Sequence, residues 1–244
     1  MRQAQANPQA PDIRVSDPQQ SQKTPGARGA GGPQNAPQSA SPRLYAIVYT
    51  RGNKGEGGDQ DFRNAAFTRA YDIMHSKDFD PKKDTVLVYA VQTKDDFRGV
   101  VEGLSNYEKQ LGKVEQLALF SHGGRKDGPI FHIQDPKGEW RQDQFRQDEL
   151  GQFKINFSPT ATADFMMCHT AQNGYAQAFA DAHGVHTRGF GDTVFSSDPA
   201  NKVHGYESGG PEYMLGSGGN WFQRHILGAP PKQAQDFYPK GGGW

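Results

Sequence analysis

Three near-continuous apolar runs constrain this chain most: RLYAIVYT from Arg43, DTVLVYAVQ from Asp84 and VEQLALF from Val114. Each is far shorter than a membrane span and apolar at successive positions, so each reads as a strand buried on both faces. Two segments of helical spacing lie between them. In DFRNAAFTRAYDIMHSKDF, Phe62, Ala65, Ala66, Ala70 and Ile73 recur at helical intervals, and in TKDDFRGVVEGLSNYEKQLGK, Phe97, Val100, Val101 and Leu104 line one face. Buried strands alternating with helices imply βαβ crossovers. The expectation is an α/β fold of three layers, with a mostly parallel central sheet and helices on both faces.

Beyond residue 122 the pattern changes. GPIFHIQDPKGEW reads as a short hairpin or flap and RQDQFRQDELGQF as a surface helix, while TADFMMCHT (residues 162–170) reads as a further buried strand ending at Cys168. A helix over GYAQAFADAHG and a strand over VHTRGFGDTVFSS follow, in which Gly189 and Gly191 mark a close approach of backbone or ligand. Residues 1–42 are dominated by Gln, Pro, Ala, Gly and Ser, with almost no large apolar side chain after Val15. Such a segment cannot bury enough surface to offset its ordering entropy and is expected to be a disordered leader. This places the core at 43–200 and leaves 201–244 as a Gly-rich extension packing on or near it.

Lys plus Arg equal Asp plus Glu at 27 each, which gives no overall electrostatic reason to expect a nucleic-acid or anionic membrane partner. Trp140, Trp221 and Trp244 are too scattered to form a base-stacking platform. No stretch has the make-up of a secretory signal or a membrane span, so the expected location is the cytoplasm, with any export by a route other than general secretion. The chain has one cysteine, which excludes an intrachain disulfide and leaves a thiol that is either inert or used.

The third strand ends abruptly in Ser121-His122-Gly123-Gly124, and the strand at 162–168 ends at Cys168. In an open parallel sheet ligands gather at the carboxyl ends of strands, so neighbouring strands would bring the imidazole and the thiol together there. The pairing has a chemical purpose, because a thiol is largely protonated at neutral pH and an imidazole takes its proton during attack. Gly123, lacking a side chain, lets its backbone N–H approach a carbonyl oxygen and join the Cys168 N–H in stabilising an oxyanion. Structural readings stand beside this one. A lone cysteine on an apolar strand is commonly inert core, His-Gly-Gly can be a simple turn, and Met166-Met167 reads as sheet core. His132, His169, His183, His186, His204 and His225 read as loop or surface residues. A zinc site from Cys168, His169 and His122 is disfavoured, since adjacent strand residues point to opposite faces and no CxxC or HExxH pattern occurs. No GxSxG occurs to make His-Gly-Gly the oxyanion loop of an α/β-hydrolase, and GNKGEGG matches neither phosphate-binding order.

LALFSHGG and ADFMMCHTA resemble the motifs of the caspase-like (clan CD) cysteine peptidases, which include caspases, metacaspases, clostripain, gingipains, legumain, separase and the bacterial CHAT proteases. The order His before Cys and their spacing agree with that family, and CHTA is most similar to the Cys-x-Thr-Ala of CHAT-type members. The resemblance covers residues 43–197. It implies a caspase-like fold and a cysteine endopeptidase, with Cys168 as nucleophile, His122 as base or proton donor, and Gly123 and Cys168 forming the oxyanion hole. It implies no metal or other cofactor, a protein or peptide substrate, and an activator or delivery partner of the kind that serves bacterial toxin and effector modules. Specificity stays open. Met166 stands where many members cleaving after Arg or Lys hold an acid, leaving Asp59 and Asp192 as candidate pocket acids, whereas Arg51 stands where some members hold an acidic substrate residue. An inactive scaffold and a small-amide hydrolase on the same sheet are the rival readings.

Overall fold

In a computed structural model, which describes residues 13–15, 41–51, 58–125, 127–134, 137, 139–196, 214–216 and 233–240, the three apolar runs lie side by side. Strand β1 (Ile13–Val15) precedes β2 (Arg43–Thr50), α1 (Gly58–Met74), β3 (Thr85–Val91), α2 (Lys94–Leu111) and β4 (Lys113–Phe120). There follow β5 (His122–Gly123), β6 (Pro129–Gln134), β7 (Trp140–Gln144), a 3-10 helix (Gln147–Gln152), β8 (Phe157–Met166) and α3 (Tyr175–His183). The last described elements are β9 (His186–Gly189), β10 (Val194–Ser196), β11 (Met214–Gly216) and β12 (Gln235–Phe237).

The main sheet has the order β1-β3-β2-β4-β8-β9-β12. Its inner strands β3, β2, β4, β8 and β9 are mutually parallel, and the outer strands β1 and β12 run antiparallel to their neighbours. From β2 the chain crosses to β3 on one side, then returns past β2 to β4 on the other. Right-handed crossovers in opposite directions put α1 and α2 on opposite faces of the sheet. Two separate apolar clusters follow. Ile47, Val86, Val88, Ala118 and Phe120 pack with Phe62, Ala65, Ala66 and Ala70 of α1, while Leu44, Val48, Leu117, Leu119 and Phe165 pack with α2 and with Tyr175 and Phe179 of α3. The molecule is thus an α/β structure with a mostly parallel central sheet and helices on both faces.

The alanines of α1 let it approach the sheet closely. For α2, a Thr93–Asp96 capping box closes the N-terminus, contributing about 1 kcal/mol. The burial of Phe97, Val100, Val101 and Leu104 is worth roughly 1.5–3 kcal/mol apiece, so packing dominates.

The structure departs from the sequence expectations in several places, among them the end of β8 at Met166, two residues short of Cys168. Within the leader, Ile13–Val15 forms β1 against β3; its alternating β-branched residues suit an edge ladder. Arg141–Gln144, expected in a surface helix, belongs to β7, whose pairing with β6 extends from Trp140 to Gln144, and only Gln147–Gln152 turns helically. The single strand expected over residues 185–197 is two, because the chain turns between Gly189 and Val194. Finally, His183 is buried in the last turn of α3 rather than exposed. At the far end of the chain, β12 joins β9, so this part of the Gly-rich extension does pack on the core. Among the described residues no helix is long and apolar enough to cross a membrane.

Candidate active site at the carboxyl rim

Strand order reverses direction between β2 and β4, which opens the carboxyl rim there as the natural place for a site. Phe120, the last residue of β4, pairs with Met166, the last residue of β8. His122 lies two residues beyond β4 and Cys168 two residues beyond β8, just past the ends of neighbouring strands. Phe120 and Met166 pack on the α1 side. The imidazole meets Phe62 of α1 edge-on, with ring centroids 5.0 Å apart.

A buried strand ends in a half-buried histidine here because the chain changes sheets. Ser121 is buried, and its hydroxyl donates to the carbonyl oxygens of His122 at 3.0 Å and Ile130 at 3.1 Å. From that anchor His122–Gly123 leaves the main sheet to pair with Pro129 and Ile130 as the first strand of the β5-β6-β7 sheet. Gly123 is then pressed onto the Cys168 backbone. A Cβ at Gly123 would overlap the Cys168 carbonyl oxygen and lie 2.8 Å from its nitrogen, so no other residue fits without a shift.

Cys168 is half-buried and stands in a turn rather than on β8 itself. The Val194 N–H donates to its sulfur at 3.2 Å, and the thiol approaches the Val194 carbonyl oxygen at 3.8 Å. His169, directly after it, has φ of 61°, an uncommon conformation for a residue with a side chain. The turn is held from β9 and the residues after it. His169 N–H donates to Asp192 O at 3.1 Å and Ala171 N–H to Phe190 O at 3.0 Å, while the buried Thr170 hydroxyl accepts from Phe190 N–H at 3.1 Å. A Cβ on Gly189 would sit 2.6 Å from Thr170 Oγ1 and 3.0 Å from the Ala176 methyl, so what approaches closely there is a pair of side chains rather than the expected backbone or ligand.

The other residues singled out in the sequence fall as follows. Arg51 is exposed just past β2, and its backbone N–H donates to Val91 O at 2.9 Å. Asp192 reaches the Cys168 turn through its backbone carbonyl. The side chain of Asp59 lies outside the described residues. Below Met166 on the same face, the fully buried Asp164 accepts from Arg188 Nε at 2.6 Å and Nη2 at 2.7 Å, and from the Gln116 amide, with Arg69 of α1 at 3.7 Å. That acid is already neutralised by its arginines.

Sequence reasoning missed Asn173, whose side chain bridges the two motif loops, and Val194, which serves the sulfur through its backbone. Among the described residues no group of three or more His, Cys, Asp or Glu side chains is placed to share a metal ion. A cavity of about 570 Å³ opens at the opposite, amino-terminal rim beside Pro42, Glu108 and Lys113, and one of about 350 Å³ lies beside Lys94, Gln144 and Glu149. Neither is lined by His122, Gly123 or Cys168. Comparison with known proteins finds no match, either among protein-family models or among curated sequences.

Proposed function

We propose that the protein is a cysteine endopeptidase of caspase-like type using a His122/Cys168 dyad. One observation carries the reading: the only thiol of the chain and a His-Gly strand end lie on one rim, with Gly123 packed on the Cys168 backbone. In the reaction, His122 takes the Cys168 proton as the sulfur attacks the scissile carbonyl carbon, and the carbonyl oxygen becomes an oxyanion facing the Gly123 and Cys168 N–H groups. The tetrahedral adduct collapses to a thioester as the C–N bond breaks, and the imidazolium returns the proton to the departing amine. Water, deprotonated by His122, then hydrolyses the thioester and restores the thiol. Each oxyanion donor of this kind contributes on the order of 10²–10³ in rate.

The Val194 N–H supports the reading by holding the sulfur in one orientation.

The test uses the full chain with denatured casein as substrate. Cys168→Ala and His122→Ala are each expected to abolish cleavage, and iodoacetamide is expected to modify Cys168 faster than free cysteine. Cleavage that persists undiminished in Cys168→Ala defeats the proposal. Fast alkylation without protein cleavage, joined to turnover of small amides, would move the assignment to an amidase.

A further inference from the structure

We propose that Asn173 is a positioning residue of this site, clamping the loop after Gly123 onto the turn after Cys168; the proposal rests on the endopeptidase reading. Asn173 Nδ2 donates to two carbonyl oxygens of that loop, Gly124 at 2.8 Å and Asp127 at 2.7 Å. Its Oδ1 accepts from Tyr175 N–H at 2.9 Å, in the first turn of α3. Two acceptors on one side and a donor on the other fix the orientation of the amide. The bonds close into a ring. Asp127 Oδ1 accepts from Gln147 N–H at 2.9 Å, and Gln147 Nε2 donates to Asn173 O at 2.9 Å.

The placement matters because Gly123 has no side chain to hold it over Cys168, and it is followed by Gly124, so the backbone here is permissive. Ser121 fixes the loop on its amino side. On the carboxyl side, Asn173 links the loop to the cysteine turn. A shift of about 1 Å in a reacting group costs on the order of 100-fold in rate.

Asn173→Asp separates positioning from helix capping, since it keeps the oxygen that serves Tyr175 N–H and removes both donors to the loop. On casein, its kcat is expected to fall about 10- to 100-fold with KM within about twofold. Iodoacetamide alkylation of Cys168, which forms no oxyanion, is expected to change by less than about threefold, a split that collapse of the site would not give. In Asn173→Ala, hydrogen exchange of the peptide spanning 121–129 is expected to quicken by about tenfold. If Asn173→Asp keeps kcat within about twofold while Cys168→Ala abolishes cleavage, or if exchange over 121–129 is unchanged in Asn173→Ala, the inference is overturned. Cleavage surviving in Cys168→Ala would instead strike the underlying reading.

Discussion

His183 makes the stability of this protein depend on pH in a way that can be worked out beforehand. It occupies the last turn of α3 with 7 % of its surface exposed, and its ring lies 4.3 Å from Phe179, 4.8 Å from Phe153 and 6.4 Å from Phe157. Among the described residues neither ring nitrogen has a hydrogen-bond partner. Burial, with a smaller push from Lys154, lowers its pKa from 6.5 to about 4. The helix C-terminus favours the imidazolium by roughly 0.3–2 kcal/mol, and desolvation outweighs it. In the unfolded chain the ring titrates near 6.5, so between the two values the unfolded state holds more protons and acid favours unfolding. Relative to alkaline solution the loss is about 0.2 kcal/mol near pH 7, about 1.4 near pH 5.5 and about 2.5 near pH 4.5. Against a typical total of about 5–15 kcal/mol that is a large share. Urea denaturation followed by circular dichroism would measure it in the wild type and in His183→Leu, which puts an aliphatic side chain in the aromatic pocket. The variant is expected to lie within about 1.5 kcal/mol of wild type near neutral pH and to lose about 2 kcal/mol less on going to pH 4.5. Parallel losses in the two proteins would refute the reasoning, since every other titrating group is common to both.

Two further substitutions probe the rim and its foundation. Gly123→Ala places a methyl group against the Cys168 carbonyl; the protein should fold with kcat/KM on casein down about 100-fold, and a loss below about threefold would contradict the close packing. Asp164→Ala strips the carboxylate from Arg188 and Gln116 and should cost about 3 kcal/mol, the low end for a broken buried pair because Arg188 retains 37 % of its side-chain exposure. A urea-derived loss under about 1 kcal/mol would count against that network.

How far the fold was legible follows from where each element buries its side chains. The strands over 43–50, 85–91 and 113–120 are covered on both faces, which forces apolar residues at successive positions, and the two helices between them show burial at helical spacing. Arg141–Gln144 misled because its ladder to β6 joins backbones, which leaves polar side chains free to mimic a solvated helix. His183 misled because nothing local distinguishes a histidine facing three phenylalanines from one facing water; the partners Phe153 and Phe157 are supplied by tertiary structure. Within the candidate site, the strand ends pointed to one rim for Gly123 and Cys168, and their backbones do pack together there. Asn173 lies in a turn whose sequence reads as an ordinary helix start, and its contacts to Gly124 and Asp127 span 49 and 46 residues.

The shape of the cysteine turn illustrates why such contacts escape a linear reading. A left-handed His169 costs roughly 1–2 kcal/mol, a conformation that histidine adopts more readily than most side chains. The offset comes from bonds to other segments: Asp192 O takes the His169 N–H, Phe190 O takes the Ala171 N–H, and Thr170 Oγ1 takes the Phe190 N–H. At about 0.5–1.5 kcal/mol each, these three bonds cover the strain. Thr170 and Gly189 are then required as a pair, one for its hydroxyl and the other because a Cβ would strike that hydroxyl. The same loop from β9 to β10 that steadies the turn also delivers the Val194 N–H to the sulfur. Orientation of the thiol and the donor that faces it share one structural cause, so a change that loosens residues 190–194 should disturb both together.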